Sequence, residues 1–132
     1  QSFDVAVEAA LELNDIERAE GLLRIVDELP PGHYPQFMKA QSMRFRGRIA
    51  AAANDDDAER LFKGAVGLFR ELAIPFYLAC TQLEHAEWLV KQGGGVETEP
   101  LVAEAREIFE LLGATPRLER AQRIAGPAPV PA

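Results

Sequence analysis

Apolar positions along this chain recur at the three- and four-residue spacing of a single helix face. Phe3, Ala6, Val7, Ala10, Leu11 and Leu13 form the first stripe, with Ser2 placed to cap it. Asn14-Asp15 interrupts the pattern. A second stripe, Ile16, Ala19, Leu22, Leu23, Val26 and Leu29, stops at Pro30-Pro31-Gly32. Proline lacks the amide donor a helix needs and restricts the residue before it. A third helix is predicted over 35–53, with Pro35 at the favoured first position. The acids at 55–57 then suit the positive end of a fourth helix, which carries Leu61, Phe62, Ala65, Leu68, Phe69 and Leu72.

Pro75 opens a fifth helix with Phe76, Ala79, Cys80, Leu83, Ala86 and Val90 on one side. Gly93-Gly94-Gly95 and a polar loop at 97–99 break it. Pro100 opens a sixth helix that runs to Leu112, and Thr115 caps a short seventh that ends near Ile124. The proline-rich tail, 126–132, is expected to be loose. No segment shows the strict alternation or β-branched enrichment of a strand, so the fold is expected to be all-α.

Three of these helices share one pattern. Ala19, Leu23 and Val26 on the second, Ala58, Phe62 and Ala65 on the fourth, and Ala105, Phe109 and Leu112 on the sixth all read small-x3-large-x2-apolar. The small residue lets the two helices of a hairpin approach. The large one fills the groove between successive hairpins. A plain bundle of amphipathic helices is the other architecture open to such stripes.

The pattern resembles the tetratricopeptide repeat, a helix–turn–helix unit with a period of about 34 residues. Phe3 matches the aromatic position of its first helix, Asn14-Asp15 its turn and Pro31 its closing proline. Gly47 matches the small position of the second repeat's first helix, one residue short of ideal spacing to Ala58. The third repeat departs further, stretched by the glycine run and the loop after it. The resemblance implies a right-handed superhelix of about three hairpins, at 2–34, 35–74 and 75–113, with a capping helix at 115–125. A narrower likeness lies in Pro75-Phe76-Tyr77-Leu78-Ala79, Glu84-His85-Ala86-Glu87-Trp88-Leu89 and Leu112-Gly113-Ala114-Thr115-Pro116. These resemble the C-terminal helical repeats of large bacterial signalling ATPases of the AAA type, which join a nucleotide-cyclase or DNA-binding domain to an ATPase module. The likeness implies a cytoplasmic sensing or protein-binding segment of a larger chain, which agrees with a start at Gln1.

Composition narrows the chemistry. The chain has 132 residues and a net charge of −7, which disfavours a direct nucleic-acid partner. No apolar run approaches the roughly 18 residues of a membrane span. Cys80 is the single cysteine, so no intrachain disulfide forms. His33, His85 and Cys80 do not supply the convergent ligands of a metal site, and the phosphate-binding glycine motifs are missing. No cofactor, metal or catalytic residue is therefore expected. His85 and Cys80 read as structural residues. Trp88 reads as core, with an interface anchor as the alternative.

Between positions 29 and 54 there is no acidic residue, but there are Lys39, Arg44, Arg46 and Arg48. Gln41, Arg44 and Arg48 stand at i, i+3 and i+7 and so share a face of the third helix. In the resembled repeat that helix lines the concave groove, which implies a site for an acidic peptide or partner; Arg forks suit carboxylates. The other reading pairs these arginines with neighbouring acids. The expected partners are a protein, a peptide or other domains of the parent chain. A small-ligand sensor is the alternative function. A weak homodimer is expected through the outer side of the first helix, where Ala6, Ala10 and Leu13 form a second apolar line.

Overall fold

The computed structural model describes residues 2–30, 32 and 35–125. Pro31, His33 and the tail 126–132 lie outside the described residues. Seven helices are present among them and no strand: α1 (Phe3–Glu12), α2 (Ile16–Asp27), α3 (Gln36–Ala52), α4 (Asp57–Glu71), α5 (Pro75–Lys91), α6 (Thr98–Leu112) and α7 (Thr115–Ala125). The fold is all-α.

The starts of the helices differ from expectation in four places. Ser2 takes the N-cap position of α1 but its side chain makes no cap hydrogen bond. Asp15 is the side chain that caps, accepting from the Arg18 amide at 3.1 Å. Pro35 precedes α3 in extended backbone (φ −57°, ψ 145°) instead of opening it. α6 begins at Thr98, two residues before Pro100, and Thr115 is the first residue of α7 instead of its cap. A proline in the first turn is tolerated because those amides have no intrahelical acceptor.

Most of the ends follow one rule. Five helices close with the same pair of backbone hydrogen bonds, one spanning five residues and one spanning three. After α1 the Asp15 amide donates to the Ala10 carbonyl at 2.8 Å and the Asn14 amide to Leu11 at 3.0 Å. Asp55 to Ala50, Ile74 to Phe69, Gly94 to Leu89 and Ala114 to Phe109 repeat the longer bond at 2.8–3.0 Å. This closure satisfies carbonyls that the last turn leaves over, and it requires one left-handed residue. Asn14, Asn54, Ala73, Gly93 and Gly113 supply it, with φ of 58°, 56°, 54°, 108° and 66°. The motif turns the chain sharply, so each helix can fold back on a neighbour.

The described chain divides into two compact units, Gln1–Leu68 and Phe69–Ala132, with the boundary inside α4. In the first unit α1 packs on α2 and on α3. Its core holds Val7, Ala10, Ala19, Leu23 and Phe45. α3 meets α4 where the backbone of Gly47 lies under the Phe62 ring; a Cβ on Gly47 would come within 2.8 Å of it. In the second unit α5 packs on α6 and α7, and α6 on α7. Ala79, Cys80, Leu83, Ala86, Val102, Ala105, Phe109 and Ala121 form its core.

Eight of the nine residues in the repeated small-large-apolar pattern are buried. The exception is Leu112, which is 49% exposed, because it is the last residue of α6 before the left-handed Gly113. The apolar line expected on the outer side of the first helix splits: Ala10 is buried against the core, Ala6 is half-buried and Leu13, just past the end of α1, is exposed.

Candidate functional site

α3 is unusual among the helices in carrying no acid and four cations, and its two polar stripes face different surroundings. The first stripe is Gln41, Arg44 and Arg48. The side-chain spacing places all three toward α1, which packs against α3. There they meet two carboxylates one helical turn apart. Glu8 accepts from Arg44 Nη2 at 3.3 Å and from Arg48 Nη1 at 2.5 Å. Arg44 Nη1 also donates to Gln41 Oε1 at 3.2 Å, and Gln41 Nε2 donates to Asp4 at 3.5 Å. Arg44 and Gln41 are each only 1% exposed, whereas Arg48 is 22% exposed. A buried guanidinium is tolerated because its donors are occupied by a carboxylate and an amide oxygen.

The three residues share one face of α3, and the pairing of Arg44 and Arg48 with Glu8 follows the second reading of that face, in which the arginines meet neighbouring acids. What the sequence did not supply was the acid that meets them. Asp4 and Glu8 stand four apart on the predicted first helix, which was the available signal.

The second stripe, Lys39, Ser42, Met43 and Arg46, follows i, i+3, i+4 and i+7 on another side of α3 and was not singled out from the sequence. It forms one wall of an open cleft of ≈ 510 Å³ within the first unit. The C-terminal end of α2 and the residue Leu29 beyond it form a second wall, and Arg60 and Leu61 of α4 a third. Arg46 forks onto Asp27 at 2.6 and 3.4 Å. Arg60 forks onto Asp57 at 2.7 and 2.8 Å, and this hydrogen bonding holds the Asp57 carboxyl below its ordinary pKa. Ser42 is 3% exposed and its hydroxyl has no hydrogen-bond partner among the described residues. A smaller recess of ≈ 220 Å³ is lined by Glu20, Leu23, Arg24, Ile49 and the same Arg46.

In the second unit the polar side chains mostly tie helices together. Glu104 of α6 accepts from Arg70 at 3.0 and 3.2 Å and from Gln82 Nε2 at 2.7 Å. The Arg70 bonds first, and Gln82 second, hold the Glu104 carboxyl below its usual range. Glu87 of α5 is clasped by both Arg120 Nε and Nη2 of α7, which raises the guanidinium's pKa. His85 is 1% exposed with its ring stacked on Trp88, centroids 6.1 Å apart. Trp88 and Cys80 are also buried. Among the described residues no group of three or more His, Cys, Asp or Glu side chains is placed to hold a metal ion. No described helix is long and apolar enough to cross a membrane.

Compared with known proteins, this all-α chain matches no family model, no curated protein and no solved structure.

Proposed function

We propose that this chain is a protein-interaction module that recognises acidic segments. In this reading the hairpins α1–α2, α3–α4 and α5–α6 form a tetratricopeptide-like right-handed superhelix capped by α7. It serves as the cytoplasmic C-terminal repeat region of a larger bacterial signalling or transcription-regulating ATPase. The observation that carries the proposal is the way Gln41, Arg44 and Arg48 receive Asp4 and Glu8 from a neighbouring helix. Two carboxylates one turn apart are already accommodated there, so an acidic helix of a partner has a template to follow or extend. The 22% exposed Arg48 is the group within reach of such a partner. The surplus of acid elsewhere in the chain repels nucleic acid and favours orientation of an acidic partner toward α3.

A small-ligand sensor is the second reading. It is favoured by the ≈ 510 Å³ cleft, which falls within the usual volume of ligand sites.

Selection of displayed peptides on the whole chain tests the leading reading. Binders enriched in Asp and Glu are expected, with affinity falling at least tenfold in Arg48→Gln and weakening as salt rises. Recovery of no binder, or only of neutral or basic ones, would remove the proposal. Arg44→Ala is the less informative variant. Loss of a fully buried guanidinium strips partners from Gln41 and Glu8 and costs about 1–3 kcal/mol of stability, read by urea unfolding.

A further inference from the structure

The cleft beside α3 has a composition that neither the fold nor the α1 contact explains. Its wall carries a cation, Lys39, that has no ion-pair partner among the described residues, one turn before Ser42 on the same stripe. Ser42 brings a buried hydroxyl without a partner among the described residues. Burying a hydroxyl unpaired is unfavourable, so a helix position that faces an apolar neighbour would be better filled by alanine. The two arginines that also line the cleft, Arg46 and Arg60, are each neutralised by an aspartate. Among the described lining residues the free donor capacity thus lies with Lys39 and Ser42. Around them stand Leu29, Met43 and Leu61, a flexible aliphatic surface.

We infer that this cleft binds a peptide segment of a partner protein through one carboxylate and an adjoining aliphatic side chain. The inference rests on the reading of the chain as a protein-binding module but uses a different surface from Gln41, Arg44 and Arg48. The carboxylate, of Asp or Glu, lies between the Lys39 ammonium and the Ser42 hydroxyl. The hydroxyl donates to one carboxylate oxygen, and Lys39 neutralises the charge. The neighbouring Leu, Ile or Met of the partner covers Leu29, Met43 and Leu61. Lys39 and Met43 line the same cleft as Ser42, and both are unbranched chains. Charge complementarity selects the occupant: with Arg46 and Arg60 each paired to an aspartate, Lys39 leaves the described lining with one unpaired positive charge, in a chain whose overall charge is −7. A single free cation fits one carboxylate better than a multiply charged phosphate or a nucleic-acid backbone.

The test uses the full chain, labelled with 15N, and three capped peptides in a Gly/Ser background: one with a single Glu-Leu pair, one with Gln-Leu and one with Glu-Ser. Amide shifts in the Glu-Leu titration are expected to concentrate at Lys39, Ser42, Met43 and Leu61. Affinity should fall at least fivefold for each control peptide, and at least fivefold for Glu-Leu in Lys39→Gln and Ser42→Ala. Ser42→Ala should meanwhile unfold at the same or higher urea concentration, since it removes an unpaired buried group. That separation of binding from stability is what a merely structural serine would not give. Lys63→Gln, which alters an exposed cation outside the cleft, should bind as the unaltered chain does. Unchanged affinity in both cleft variants, or equal binding of the Gln-Leu peptide, would overturn the cleft. Shifts confined to Gln41 and Arg48 would also overturn it while leaving the acidic-segment module standing. Absence of binding by all three peptides would overturn the cleft, and an empty peptide selection would be needed to remove the module as well.

Discussion

Gly47 and Gly67 both lie in helices with ordinary backbone angles, and they differ only in what faces them. A Cβ at Gly47 would lie 2.8 and 2.9 Å from two atoms of the Phe62 ring, inside any tolerable contact. Phe62 is 1% exposed and has little room to retreat. Gly47→Ala is therefore expected to destabilise by about 1–3 kcal/mol. Gly67 has nothing within 4 Å of its would-be Cβ. Gly67→Ala gains helix propensity at no steric cost and should stabilise by roughly 0.5–1 kcal/mol. Urea midpoints of the two variants on either side of the unaltered chain would support the α3–α4 contact. A neutral Gly47→Ala would mean that α3 and α4 do not meet there. The need for a small residue at 47 was readable from the repeat pattern. The ring that imposes it was not, because Phe62 is fifteen residues away.

At the scale of elements, the recurring helix closure makes one position stand out. Four of the five left-handed residues are Asn or Gly, the types that adopt that conformation at least cost. The fifth is Ala73, with φ 54°, at the join between α4 and α5. Its methyl group is strained against the following backbone. Ala73→Gly should relieve this and stabilise by about 1 kcal/mol, with the same hydrogen bond from Ile74 to Phe69 retained. Urea unfolding of the variant checks it; a loss of stability would show that this turn is held by contacts of the methyl group instead. Asn14-Asp15 and Asn54-Asp55 were legible as breaks because Asn and Asp are turn residues. Ala73 was not, since alanine carries no local signal for a left-handed turn and the strain is imposed by the helices on either side. The early start of α6 escaped for a related reason. Thr98 and Glu99 read as loop, and proline tolerance in a first turn makes Pro100 an uncertain marker of the first residue.

Across the whole molecule, acid is in excess, and two carboxylates, Glu104 and Asp57, owe part of their charge stabilisation to partners. Glu104 is the clearest. Its pKa is depressed by Arg70 and Gln82, so its contribution to stability is present above its unfolded pKa, near 4.5, and is lost as pH falls through the folded value. Asp57, depressed by Arg60, has the same sign. The chain is expected to lose urea resistance steadily below about pH 5, and Glu104→Gln should flatten that dependence. The effect is under about 1 kcal/mol, because Glu104 and Arg70 are 40% and 57% exposed and water screens them. Unfolding midpoints at pH 7, 5 and 3 for both proteins measure it. Parallel lines would show that Glu104 gains nothing from its partners. Each of the two compact units has an apolar core of its own.

The number of helices, most of their breaks and the small residues at their contacts follow from local sequence, because spacing along one chain and the dihedral preferences of Gly, Pro, Asn and Asp act within a few residues. So does the grouping of Gln41, Arg44 and Arg48 on one face. Which neighbour each face of α3 meets was decided only by the tertiary structure. Glu8 lies 36 residues from Arg44 and 40 from Arg48, and no periodicity couples positions so far apart. The same packing turned Arg44 inward, where a carboxylate and an amide satisfy it, and left Lys39 and Ser42 lining a cleft with donors to spare. Helical spacing fixes which side chains travel together; the burial and pairing of each charge depend on the surface that arrives opposite.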